Sequence, residues 1–302
     1  MIKFVIGIPT YNNESTIQDT LSIIANQTVV PDKLVICDAS DDKTPEIVQE
    51  FAERTDSFDV TLIKQDGDGV ADAYNQILEN IDDYDIFGTI QTNFKIPDNW
   101  VESAIRLHKK YPNIDIINSS SEHNVELDPD HIDYFSGRCF TSKSGILESV
   151  NGWDKNFLRG EDWDIQIRLA QSGTRSLGAD ALAYSELADD PPISFRKARR
   201  KPTSAMFLAK YGHWYIKYHP SHVIGDIIGV LAVLTLPLII VSPLLALIPM
   251  AYVVGYDLIE GGLGGSLVKT PLKKCYLDGY GFLTSSLSIM RTDYEWNMEG
   301  FS

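Results

Sequence analysis

Cysteine is scarce in this chain: Cys37, Cys139 and Cys275 are the only three in 302 residues. They are odd in number and far apart, so they suggest neither a disulfide framework nor a metal-ligand spacing. A reducing cytosol fits. Positive charge is the second shortage. Lys and Arg number 26 against 42 Asp and Glu, a formal charge of −16. Such a surface does not seek nucleic acid, because neutralising phosphates needs Lys and Arg. The opening MIKFVIGIPTYN carries one Lys and about six apolar residues, too short a run for a signal peptide. It reads as a first buried strand. No repeat of 20–50 residues and no low-complexity tract is present.

The charge that is there is unevenly placed. Residues 1–195 hold 35 acids and 15 bases, a balance of −20; residues 196–302 hold 7 acids and 11 bases, a balance of +4. Strong acidity with few Lys is a device of halophiles, and a halophilic, archaeal source is the expectation. The length allows one large domain or one domain with an appendage. The apolar fraction of 44% is ordinary for a globular protein.

Apolar runs rich in β-branched residues alternate with helical periodicity. IKFVIGIPT, KLVICDAS, VTLIKQ, YDIFGTIQ and IDIINSS read as strands. Residues 14–27, 42–51, 71–81 and 100–110 read as helices, for instance with Ile17, Leu21, Ile24 and Ala25 on one face. This alternation predicts an α/β fold, a mostly parallel sheet flanked by helices. Ligands then sit at the carboxyl ends of the strands. Those ends supply Thr10-Tyr11-Asn12, Asp38, residues 66–69 and Gln91 to Asn93.

The character changes near residue 196. RKARRK at 196–201 is basic, and residues 227–256 then run without a charge. One helix of that length would be about 45 Å long, against a bilayer core of about 30 Å. Pro237, Pro243 and Pro249 interrupt it, and Lys flanks both sides. A short hairpin over about 223–256, re-entrant or barely spanning, is expected, with both flanks cytosolic. A single span and a buried core helix pair of a soluble protein are the competing readings. Residues 272–290 suit an amphipathic helix on the membrane, or plain packing. The expected division is a domain over 1–205 and a helical, membrane-associated region over 206–302.

Three stretches can carry chemistry. Asp38, in CDASDD, ends a strand; its carboxylate can accept a bond from a nucleobase N–H or a ribose hydroxyl, or the stretch simply caps the next helix through Ser40, Asp41 or Asp42. DGDGVADAYN, 66–75, sets two glycines before a helix opened by Asp72 and Asn75, either a phosphate-approaching loop or a simple turn. GWDKNFLRGEDWDIQIRLAQSG, 152–173, gathers Glu161, Asp162 and Asp164 at a helix start, with Arg168 placed to pair with Asp164. Acids so close raise the proton affinity of at least one, which suits a general base. They equally suit the helix dipole.

In this order the motifs resemble family 2 glycosyltransferases with the GT-A fold. The resemblance rests on residues 8–23, 35–42, 67–77 and 152–173 and spans roughly residues 1–215. It implies a nucleotide-sugar donor, with Pro9, Thr10, Tyr11 and Asn12 along base and ribose, Asp38 on the base, and Asp72 and Asn75 facing the donor. Asp162 would deprotonate the acceptor hydroxyl, with Glu161 and Trp163 beside the acceptor. Transfer would be a single displacement with inversion.

The family's Asp-any-Asp motif, whose carboxylate reaches a divalent metal, falls here on Gln91, Thr92 and Asn93, and the later His near the diphosphate is lacking in 179–190. Three explanations compete. Mg or Mn still binds through Asn93 and Gln91, helped by Glu186 or by phosphates. Arg196, Arg199 or Arg200 stabilises the leaving group. Or the copy is weakly active. The expectation is a cell-membrane enzyme with a cytoplasmic catalytic domain. It would move sugar from a UDP-sugar to a lipid-linked glycan, dolichyl phosphate-linked as in protein N-glycosylation, or in surface polysaccharide assembly. The rival is a non-catalytic nucleotide-sugar-binding or scaffold subunit at the membrane.

Overall fold

The computed structural model describes residues 2–119, 137–158, 160–186 and 204–235, with isolated positions between 251 and 299. The chain divides into two compact units, residues 1–155 with 161–190 and 297–302, and residues 156–160 with 191–296.

The first unit begins as the alternation predicts. β1 (Phe4–Thr10), α1 (Ile17–Ala25), β2 (Lys33–Asp38), α2 (Thr44–Arg54), β3 (Asp59–Lys64), α3 (Val70–Glu79) and β4 (Ile86–Ile90) follow in turn. Then come β5 (Phe94–Lys95), α4 (Trp100–Lys110), β6 (Ile116–Asn118), β7 (Cys139–Lys143), α5 (Glu161–Gln171), β8 (Ser176–Gly178) and β9 (Ser185–Glu186). Seven strands form one sheet in the order β3-β2-β1-β4-β7-β6-β8, and β5 pairs with β9 apart from it. The first four in that order are parallel. β7 runs antiparallel to both β4 and β6, while β6 and β8 are parallel. The sheet is therefore mostly parallel and α/β, as expected, with one reversed strand that the sequence pattern did not announce.

Strand alternation explains why both faces are covered. Phe4, Ile6 and Ile8 point to one face, where α1 (Ile17, Leu21, Ile24) and α4 (Trp100, Val101, Ala104) pack. Val5, Val35, Cys37 and Phe87 point to the other, under Ala73, Tyr74 and Ile77 of α3 and Ile165 and Leu169 of α5. Full burial of each such aliphatic or aromatic side chain contributes roughly 1.5–3 kcal/mol. Gly7 lets α3 approach: a Cβ there would lie 2.6 Å from both Ile77 and Phe87.

The second unit contains α6 (Ser204–Tyr211), α7 (His213–Tyr218) and α8 (Pro220–Thr235). Gly212, at φ +57°, separates α6 from α7. Phe207 stacks on Tyr215 at 5.1 Å and leans on Phe157 at 5.0 Å. Among the described residues no helix is long and apolar enough to cross a membrane. The basic cluster at 196–201, most of the expected hairpin and most of residues 272–290 lie outside the described residues.

Candidate functional site

The strand ends at Thr10, Asp38 and Ile90 lie along one edge of the sheet, and its first corner is built around Asp38. Its Oδ1 accepts the Thr10 hydroxyl at 2.5 Å and the Ser40 hydroxyl at 2.7 Å, and its Oδ2 accepts the Ser40 amide at 3.1 Å. Asp38 and Thr10 are buried. The Ser40 hydroxyl also accepts the Asn12 amide at 2.7 Å, and the Asn12 side chain accepts the Asp41 amide at 2.9 Å. Asn12 adopts φ +54° to do this. Thr10, Asn12, Asp38 and Ser40 thus form one brace, beside which Tyr11 projects at 58% exposure; Pro9 precedes it in β1. Just ahead of α2, the Asp42 Oδ1 accepts the Thr44 amide at 2.9 Å.

The glycine loop is the second corner. Gly67 and Gly69 hold φ +97° and +93°. The Asp72 carboxylate turns back over this loop, accepting the Asp68 amide at 3.1 Å, and a Cβ on Gly67 would meet it at 2.5 Å. Asn75 is used differently. Its amide nitrogen donates to the Trp153 carbonyl at 2.9 Å, and its oxygen accepts the Trp153 amide at 2.9 Å. It is a clamp between α3 and the turn before α5, and Tyr74 reinforces it by stacking on the Trp153 ring at 4.5 Å. Beside them burial, then Asp38 and Asp72, push the Cys37 thiol up to about 12, so it is no thiolate at neutral pH.

The acid cluster at α5 separates into two roles. Asp164 is fully buried and accepts the Arg168 Nε at 3.0 Å and Nη2 at 2.8 Å. The same guanidinium donates to the carbonyls of Val150 and Gly152. Asp164 is thus a structural anchor, as the four-residue spacing anticipated, and leaves Glu161 and Asp162 at the half-buried helix start. Asp162 Oδ1 accepts the Trp163 amide at 2.9 Å. Its side chain lies against Gly137, where an added Cβ would come within 2.7 Å. The buried Tyr74 hydroxyl bonds Thr89 at 3.1 Å and donates to the Gly137 carbonyl at 3.5 Å. Burial, with the Glu161 and Asp162 carboxylates nearby, holds Tyr74 protonated well above its usual range.

The third corner is the one without acids. The Phe94 amide donates to the Gln91 carbonyl at 3.1 Å, closing a tight turn over Thr92 and Asn93. Thr92 is buried and its carbonyl accepts the Thr20 hydroxyl at 3.1 Å. Gln91 and Asn93 are half-buried. Glu186 pairs through its backbone with Phe94, one residue beyond Asn93. Among the described residues no group of three His, Cys, Asp or Glu could hold a metal ion. A cation that the motifs did not point to does stand here. The Arg138 guanidinium lies over the Phe94 ring at 5.4 Å, and the Arg138 carbonyl accepts the Gln91 amide at 2.9 Å. Gly137 and Arg138 were not legible because they lead into the unannounced strand β7.

The family model for glycosyl transferase family 2 matches residues 5–165, more than half of the chain. The chain belongs to this family. It is accordingly a glycosyltransferase. Solved structures share its fold. A mannosyltransferase from Pyrobaculum calidifontis, in complex with GDP-Man and Mn2+, is 16% identical with a TM-score of 0.59, over 96% of this chain and 88% of that one. TarS from S. aureus, as the 1–349 form in complex with UDP, is 14% identical with a TM-score of 0.55, over 97% and 93%. Against another, longer TarS structure the chain spans 38% of the length. Glucosyl-3-phosphoglycerate synthase from Mycobacterium tuberculosis, with Mg2+ and UDP, is 14% identical with a TM-score of 0.50, over 70% and 80%. No curated protein matches the chain.

Proposed function

We propose that this glycosyltransferase inverts configuration while moving a sugar from a nucleoside-diphosphate sugar, a UDP-sugar first of all, to a lipid-linked glycan at a membrane. The observation that carries the reading is the meeting of two carboxylates at one sheet edge. Asp38 ends β2 there, and Asp162 lies over Gly137 at the entrance to β7. The Oδ2 of Asp38 carries one amide bond, which leaves acceptor capacity for a nucleobase N–H. Thr10, Tyr11 and Asn12 would flank the base and ribose, Asp72 the donor loop, and Glu161 and Trp163 the acceptor.

In the chemical step Asp162 takes the proton of the acceptor hydroxyl as its oxygen attacks the anomeric carbon. The bond from that carbon to the diphosphate oxygen breaks, and its electron pair leaves with the nucleoside diphosphate. A divalent ion, Mg or Mn, belongs to the same proposal. The Gln91 and Asn93 amide oxygens are neutral ligands of a kind hard cations accept, so they would hold it, and it would add charge beside the leaving diphosphate. Two of the similar structures carry Mn2+ or Mg2+.

The membrane role is supported by the apolar run 227–256 and by α8, which exposes Ile224, Ile227, Leu231 and Leu234 at helical spacing. The division at 205/206, the cytoplasmic placement and a halophilic source belong to the same reading. The missing carboxylates at 91–93 favour a second reading, a non-catalytic nucleotide-sugar-binding subunit. The test incubates the full chain with UDP- and GDP-sugars and a membrane lipid extract, and identifies glycolipid by mass. Transfer is expected. Nucleotide binding without turnover, with Mg2+, Mn2+ or EDTA, would establish the second reading instead. Release of the chain by alkaline carbonate would remove the membrane part.

A further inference from the structure

We propose that Arg138 binds the donor diphosphate and neutralises the leaving group at the corner where Gln91, Thr92 and Asn93 stand. The inference rests on the nucleotide-sugar reading above. Its first ground is topology. A parallel strand brings only its carboxyl end to the ligand edge, but β7 is antiparallel to β4, with Cys139 opposite Ile90. The residues entering β7, Gly137 and Arg138, therefore arrive at the edge that Thr10, Asp38 and Gln91 occupy.

The second ground is contact. The backbone of Arg138 is fixed to the corner by the Gln91 amide at 2.9 Å, and its guanidinium rests on the Phe94 ring at 5.4 Å. Tyr184 closes the same ring from another side at 4.7 Å. Phe94 is buried, so this platform is rigid. A guanidinium stacked on an aromatic ring keeps its planar fork aimed, and that fork matches two phosphate oxygens.

The third ground is charge. The nucleoside diphosphate gains negative charge as the sugar leaves, and Asp38, Asp72, Glu161 and Asp162 around the edge repel it. The turn at 91–93 carries only uncharged side chains, so it adds no carboxylate to that repulsion. Neighbouring Cα atoms are about 3.8 Å apart, so Arg138 is one step from Gly137, on which Asp162 lies. Asp162 of α5, over Gly137, and Arg138 beside it would thus flank the reacting carbon at one strand entrance.

The experiment measures binding of UDP, GDP and uridine to the full chain by calorimetry in EDTA, for wild type, Arg138→Gln and Arg138→Lys. Arg138→Gln should weaken diphosphate binding at least tenfold and leave uridine binding within twofold. Arg138→Lys, which keeps the charge but not the fork, should fall between and covers the case in which the Gln variant does not fold. Gln and Lys variants that bind the diphosphates within twofold of wild type would overturn the inference while leaving the proposed function standing. Wild type that binds no nucleotide, in EDTA or with Mn2+, would overturn both.

Discussion

The two halves of the large sheet meet the same edge in opposite ways. β1, β2 and β4 run toward it in parallel and end at Thr10, Asp38 and Ile90. β7 starts from it, just after Gly137 and Arg138. The parallel half offers a carboxylate tied down by hydroxyls and amides, suited to reading donor groups. The mixed half offers a carboxylate resting on a glycine and, across the strand entrance, a cation. Reversing one strand is what lets Asp162 and Arg138 share an edge with Thr10 and Asp38.

The largest expected effect strikes the anchor of the mixed half. Arg168→Met takes the guanidinium away from the buried Asp164 and removes the bonds to Val150 and Gly152. A loss of about 3–5 kcal/mol in urea denaturation is expected. An Asp164→Leu/Arg168→Met double variant should lose less, which would show that stranding the Asp164 carboxyl without its guanidinium dominates.

The next effect depends on pH. His108 is buried under the same half, with its Nε2 3.0 Å from the Thr141 hydroxyl of β7. Burial, then the Lys143 charge, lowers its pKa from 6.5 to about 4. Between those values the unfolded chain binds a proton that the folded chain refuses, so stability must fall as pH drops from 6.5 toward 4. The loss attributable to this ring is about 3 kcal/mol at most. His108→Gln should flatten that part of the pH–stability curve, while a variant of the parallel half should not.

Gly137→Ala isolates geometry from charge. The added methyl would sit 2.7 Å from the Asp162 Cβ, so the carboxylate must move. Transfer should drop about tenfold to a hundredfold with little change in melting temperature, because small displacements of a catalytic group are costly. Unchanged kinetics would separate Asp162 from the chemistry. In the parallel half, Asp38→Asn replaces one charged acceptor and should weaken nucleoside binding by roughly tenfold, near the 1.5 kcal/mol of a charged hydrogen bond.

The parallel half was legible because its strands are long, β-branched and punctuated, and β1 is buried along nearly its whole length. The same holds for α4, whose bounds Trp100–Lys110 follow directly from periodicity. β7 escaped notice because CFTSK is short and carries Thr, Ser and Lys, and because its partners lie 24 and 53 residues away, Ile117 and Gly88 against Thr141. Asn75 illustrates a second limit. Its motif position is readable, but only the fold reveals that its amide is spent on Trp153, 78 residues on. The pairing of Asp164 with Arg168, by contrast, needs only helical spacing.

The central claim is that Asp162 is the base of a working transfer site. It is tested most directly by comparing Asp162→Asn with wild type, with nucleotide-sugar binding and transfer to membrane lipid measured on the same samples. The account predicts binding within a fewfold of wild type and transfer lower by about 10²–10⁴. Transfer by the Asn variant at the wild-type rate would contradict it.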